Sequence, residues 1–236
     1  MKRGAILDRA LDPFLLDTAL DIAVQEDSLE ERVARLNAVL HRTIESEAAR
    51  KKVHTVLRRV WLDPPAGTSV LIQWAANECN RWEDHRPMHL GALLATHPFF
   101  ADVCAITGRQ LSLNGEFPTN DLKRRLRDEW GDREIVDVSA RGAVRTLRSF
   151  GVIARAPGQH KSTLGSKLPV DRDLHGWLVH ALLLARDVKE IDSREIAKSP
   201  ELFMFQLPSE IPNGYPYLER FNEGGGRVIL QRSEDS

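Results

Sequence analysis

From Asp12 to Pro98 the apolar residues recur every three or four positions, and no stretch alternates apolar with polar as a half-buried strand would. Asp12-Pro13 is a strong helix start, because Asp accepts from free first-turn amides and proline loses nothing at the first helical position. Phe14, Leu15, Ala19 and Ile22 mark one face of the helix that follows. Ser28 with Glu31 three residues on reads as a capping box, ahead of Leu29, Val33, Leu36 and Leu40 at helical spacing. Asp63-Pro64-Pro65 ends the next segment. A helix from Thr68 is expected to turn Leu71, Trp74, Ala75 and Trp82 inward, and Pro87 and Pro98 bracket a shorter one through Leu90, Leu93 and Leu94. Residues 1–97 are therefore expected to form an all-helical N-terminal bundle, without internal repeat or low-complexity segment.

Beyond Pro98 the pattern changes. Phe99, Val103 and Ile106 begin a helix running to about Leu113, which Asn114-Gly115 breaks. Thr119 is placed to cap a second helix, whose Leu122, Leu126 and Trp130 share a face and which Gly131 stops. A third helix between Ile135 and Phe150 buries Ala140, Val144 and Leu147, and Gly151 supplies the left-handed residue that ends it. Residues 152–155, a turn at Pro157-Gly158-Gln159-His160, and Ser162-Thr163-Leu164 follow as a short hairpin. Three helices and then a basic hairpin is the order of a winged helix-turn-helix, assigned here to residues 98–170.

Residues 171–236 are expected to supply a long helix from Leu174 to about Val188, a capping box at Asp192-Ser193-Arg194-Glu195 and a short helix stopped at Ser199-Pro200. A closing hairpin is expected from Leu218 to Phe221 and Arg227 to Gln231, across Asn222-Glu223-Gly224-Gly225-Gly226. The same pattern can be read as a second, degenerate winged helix. The fold class expected overall is mainly α: helical bundle, winged helix, then a helix-plus-hairpin segment.

The strongest local signal is charge. The formal net charge is -1, so no global charge points to a polyanion. Between Asp137 and Asp171, however, there is no acidic residue, while Arg141, Arg145, Arg148, Arg155, Lys161 and Lys167 all fall there with His160. Arg141, Arg145 and Arg148 stand at i, i+4 and i+7, one stripe turned away from the Ala140, Val144, Leu147 face. A guanidinium stripe backed by an apolar face is what a recognition helix presents to the major groove, where arginine pairs with guanine or phosphate. Gly142 and Ser149 keep the neighbouring surface small, and Ser149 is counted with the site. Lys161, His160 and Arg155 sit on the expected wing, placed to reach backbone phosphates.

The alternative reading of the stripe is a solvated basic face that pairs with acids of another module, against which the order of helices and the wing favour DNA. Lys123, Arg124, Arg125 and Arg127 precede it, flanked by Asp121, Asp128 and Glu129, so Lys123 and Arg124 are expected to make only occasional phosphate contacts. A second basic run, Arg50, Lys51, Lys52, Arg58 and Arg59, either extends a DNA footprint or answers the negative end of a helix dipole.

Catalytic patterns are poor. The sequence holds no Walker loop, dinucleotide fingerprint, nucleophile elbow or His-Glu-x-x-His, so neither an enzyme nor a cofactor is expected. Glu83, Asp84, His85 and His89 cluster near Cys79, but Pro87 between the histidines argues against a shared helical register and for a structural role. Gly224-Gly225-Gly226 has no helix after it and reads as a hairpin turn, and Phe203, Phe205, Tyr215 and Tyr217 as packing between modules. Cys79 and Cys104 lie far apart, which points away from a disulfide framework and towards a reducing compartment. The apolar stretches are too short to cross a bilayer, and Asp8, Arg9 and Asp12 interrupt the run a signal peptide would need, so a cytoplasmic location is expected.

Four groups of residues carry a family resemblance. Pro98-Phe99-Phe100-x-Asp102-Val103 running into Gly108-Arg109, then Trp130-Gly131-Asp132-Arg133, then Arg145-x-Leu147-Arg148-Ser149-Phe150-Gly151-Val152, and last Ser199-Pro200-Glu201-Leu202-Phe203, resemble the BrxA-like proteins of bacterial BREX phage-defence islands. The resemblance covers about residues 88 to 210, in spaced matches. It implies a bundle similar to the NusB fold with a winged-helix part, binding to double-stranded DNA and no catalytic activity of its own. Other defence-system proteins are then possible partners, and neither a membrane nor a small-molecule substrate is expected. Two other readings stay open: an adaptor that uses the winged helix as a protein-docking surface, and a transcription regulator.

Overall fold

A computed structural model describes residue 7 and residues 9–156 and 161–233. The chain is mainly α-helical, with ten α-helices and three small sheets among the described residues. The first helix, α1 (Pro13–Ala23), starts as its residues dictate, with the Asp12 carboxylate accepting from the Phe14 amide and Pro13 in the first turn. The capping box at Ser28 and Glu31 forms and opens α2 (Leu29–Thr43). Helix α3 (Glu47–Leu57) runs into a π-helical turn over 58–62 that ends at Asp63. Helices α4 (Ser69–Glu78) and α5 (Arg86–Thr96) complete the N-terminal helices, and α5 is buried along its length. Trp82 does not extend α4; it follows a 3-10 turn in extended backbone, and its indole N–H meets the Asp171 carboxylate.

Helix α6 (Pro98–Asn114) ends on Gly115, whose φ of 71° is left-handed. Next comes a three-residue strand that no periodicity in the sequence marks, β1 (Glu116–Pro118). It leads into α7 (Thr119–Trp130), α8 (Glu134–Ser149), β2 (Ile153–Arg155) and β3 (Lys161–Leu164). Thr119 does not cap α7: it is the first helical residue, behind Pro118, which has no side-chain acceptor to offer. Strand β3 lies between β1 and β2, antiparallel to both. The hairpin's expected turn at 157–160, His160 included, lies outside the described residues.

The C-terminal part opens with α9 (Arg172–Arg186), capped by Asp171 and ending at Arg186, two residues short of the expected Val188, with Asp187 after it in left-handed backbone. Strand β4 (Leu168–Pro169) pairs in parallel with β6 (Phe205–Gln206). After α9 come β5 (Glu190–Asp192), α10 (Ser193–Ile196) and a 3-10 turn over 200–202, and then the closing hairpin β7 (Leu218–Glu223) and β8 (Arg227–Arg232). In this sheet β8 lies between β5 and β7, the order in which β3 lies between β1 and β2. Helix α9 packs on α5, where Gly91 leaves room for Trp177 and Leu178, and the Trp177 indole donates to the Leu71 carbonyl at 2.9 Å. One buried apolar cluster therefore runs from Leu7 through all three segments to Leu230.

No single helix among the described residues is long and apolar enough to cross a membrane. The apolar pair α5 and α6 is bent by 112°, and both helices are largely buried.

Gly108 of α6 is a second close-approach point, since a Cβ there would overlap the Pro200 carbonyl. Overpacking at a fixed backbone contact typically costs about 1–3 kcal/mol. Gly108→Ala should therefore lower the unfolding free energy read from urea titration by that amount, whereas Gly115→Ala, with open space around it, should show only the smaller cost of left-handed backbone.

Candidate nucleic-acid interface

Helix α8 is amphipathic in the strict sense. Val136, Ala140, Ala143, Val144 and Leu147 are buried, while Arg141 and Arg145 are exposed on the other side. Its C-terminal end is pinned by the segment before α1: the Leu11 amide donates to Thr146 Oγ1 at 2.9 Å and Ser149 Oγ donates to the Leu11 carbonyl at 2.7 Å. Ser149 thus serves the joint to the N-terminal segment and does not line the basic cleft. Gly142 is likewise buried, and its carbonyl accepts from Thr146 Oγ1 at 3.1 Å.

The exposed side of α8 forms one wall of a cleft of about 830 Å³ lined by Pro118, Thr119, Asn120, Lys123, Val144 and five further cations, Arg141, Arg145, Arg148, Arg155 and Lys161. Among the described residues no acidic side chain lines it, although Glu116 and Asp137 reach two of its lysines from outside. Arg148 sits half-buried at the back, donating from Nη2 to Ser162 Oγ on β3 at 2.8 Å, with Nε buried and unpartnered. Its pKa is pushed down, first by burial and then by the neighbouring charges of Arg155 and Arg145. Arg141, Arg145 and Arg155 make no ion pair among the described residues, whereas Lys161 is held by Glu116 on β1. Thr119 and Asn120 bring the uncapped N-terminus of α7 to the same cleft, adding a partial positive charge.

The cations of α7 are treated differently. Asp137 receives Arg127 in two bonds of 2.9 and 2.6 Å, with Lys123 at 3.8 Å, and its pKa is lowered chiefly by Arg127. Arg124 pairs with Asp121 at 3.3 Å and lies outside the cleft. Lys167 is exposed but lines a separate groove of about 700 Å³ between α6 and the 197–203 segment, beside Leu113 and Leu164. The second basic run is occupied locally: Arg50 bonds the Ile44 and Glu45 carbonyls, Lys51 pairs with Glu47, Arg58 with Asp63, and Arg59 donates to the Thr96 carbonyl.

Of the residues expected from sequence, the structure brings together Arg141, Arg145, Arg148, Arg155, Lys161 and Lys123, and places Ser149, Lys167 and Arg124 elsewhere. It adds Pro118, Thr119 and Asn120, which became visible as site residues only once β1 set the start of α7 beside the hairpin. A different cluster joins His85 and His89 to Asp17 of α1, while Glu83 is exposed and Asp84 pairs with Arg86.

Neighbouring like charges at i, i+4 cost about 0.2–0.5 kcal/mol a pair. Inorganic pyrophosphate should therefore raise the thermal midpoint by relieving the Arg141, Arg145 and Arg148 repulsion. Arg145→Ala should reduce that gain while changing the anion-free stability by no more than about 0.5 kcal/mol; thermal scans of both proteins with and without the anion check this. Compared with known proteins, the chain finds no match among family models, curated proteins or solved structures.

Proposed function

We propose that this protein binds double-stranded DNA through the cleft between α7, α8 and the β2–β3 hairpin, as a non-catalytic accessory protein of a BREX-type phage-defence system acting in the bacterial cytoplasm. The observation that carries the DNA reading is the convergence, on one cleft that no described carboxylate lines, of a helix N-terminus and arginines without an ion pair among the described residues. Carboxylates of the protein would have covered such a stripe had it served internal pairing, yet Arg141 and Arg145 stand exposed and share the cleft with Lys161. The order α6, β1, α7, α8, β2, β3, with β3 central, supports reading residues 98–170 as a winged helix whose third helix faces the major groove. The C-terminal segment repeats the strand order but has, between its first strand and its hairpin, α10, a 3-10 turn and the two-residue β6 in place of two full helices, which fits a degenerate second copy. The defence-system assignment rests on the sequence resemblance.

A docking surface for another protein is the second reading, favoured by the separate groove where Leu113 is 81% and Leu164 41% exposed.

Fluorescence anisotropy with a labelled duplex over a salt series separates the two. Affinity should fall with salt, since each phosphate contact contributes about 0.9 to the slope of log K against log salt. Arg141→Ala with Arg145→Ala should weaken binding and flatten that slope by about 2. Absence of binding by the native protein at low salt would remove the DNA reading and leave the docking surface.

A further inference from the structure

Asp17 of α1 meets two histidines that the fold delivers from the start of α5. His85 is the N-cap of α5 and His89 lies one turn on, and Pro87, sitting in the first turn, leaves their register intact. Asp17 Oδ1 is 3.1 Å from His85 Nδ1 and 2.9 Å from His89 Nε2, and the three atoms lie within 4.8 Å of one another. The edge of a tetrahedron of N and O ligands at 2.0–2.1 Å from zinc is about 3.3 Å, so two of the three edges are already near that length.

The second nitrogen of His85 is anchored to the backbone, which fixes the direction of the ring. His85 Nε2 is 3.2 Å from the Cys79 carbonyl, which only accepts, so Nε2 carries the proton. With Nε2 so engaged, Nδ1 is the ring atom that faces the Asp17 carboxylate, and a divalent cation between the two would be held by both. A ligating histidine whose other ring nitrogen donates to a backbone carbonyl is the usual outer-shell arrangement of metal sites. The cluster also grades from interior to solvent: His89 is 0% exposed, His85 22% and Asp17 43%. Trp61 and Phe150 stand edge-on to His89 at 5.5 and 6.4 Å and hold its ring, while Asp84 engages Arg86 and keeps that guanidinium occupied.

We propose that Asp17, His85 and His89 form a binding site for one divalent transition ion of the zinc class, with the solvent-facing position left to water. Two imidazoles and one carboxylate suit zinc, cobalt and nickel in preference to calcium or magnesium. The ion clips α1 to α5 directly beneath Phe150, the residue that caps α8. The inference is independent of DNA binding.

The test uses the untagged full chain, stripped with chelator, and titrates it with Zn2+ by calorimetry and with Co2+ by visible absorption. One ion should bind per chain, Co2+ should develop the d–d bands of a low-symmetry site, and Zn2+ should displace it. Asp17→Asn and His85→Gln, both at partly exposed positions, should each weaken binding by at least about tenfold while keeping the native circular dichroism. His89, fully buried, is left intact so that loss of folding is not mistaken for loss of a ligand. No saturable binding by the native protein, or binding unchanged in both variants, overturns the proposal.

Discussion

Helix α8 is held from two directions, and the basic cleft follows from that hold. Its apolar face is buried against α7, α6 and the sheet, with Val136, Val144 and Leu147 contributing about 1.5–3 kcal/mol each if fully buried. Its C-terminal end is fixed by the two hydrogen bonds that cross between Leu11 and the Thr146–Ser149 turn. A helix so anchored can rotate neither its arginines inward nor its valines outward. The i, i+4 repulsion along the stripe is small beside this burial, so the fold tolerates an unpaired positive face and keeps it available.

The same economy explains why α7 and α8 differ. Asp137, in the first turn of α8, faces back to α7 and takes Arg127 and Lys123, which ties the two helices together and engages that acid at the inter-helix joint. Beyond it no carboxylate occurs until Asp171, which caps α9 and meets Trp82. What remains on the outer face of α8 and on β2 is a set of arginines without an ion pair among the described residues, beside a helix start that adds to their positive field.

Much of this was legible beforehand. Asp12, the Ser28 capping box, and the glycines 115, 131 and 151 mark element ends through local backbone chemistry, which needs no tertiary information. The arginine stripe was equally visible, because helical spacing alone sets its face. Glu116-Phe117-Pro118 was not, since three residues carry no period and the strand exists only by pairing with β3. Ser149 and Lys167 were placed with the site because they are near it in sequence, but Ser149 turns towards Leu11 and Lys167 lies past Gly165 on another groove. The Asp17 cluster was hidden because its acid is 68 residues from the first histidine. Residues that carry the family resemblance prove to be joints: Asp102 accepts from the Trp130 indole at 2.8 Å, Phe99 stacks edge-on to Trp130, and Gly108 receives Pro200.

Hydrogen exchange of the native protein, with and without a saturating DNA duplex at low salt, reads the whole surface at once and so tests the cleft most directly. If DNA lies there, amides in the first turn of α7, along 141–148 and in β2 and β3 should gain protection while α2 and α3 stay unchanged. Protection confined to the 50–59 run or to the groove beside Leu113, with the α8 and hairpin amides unaffected, would contradict it.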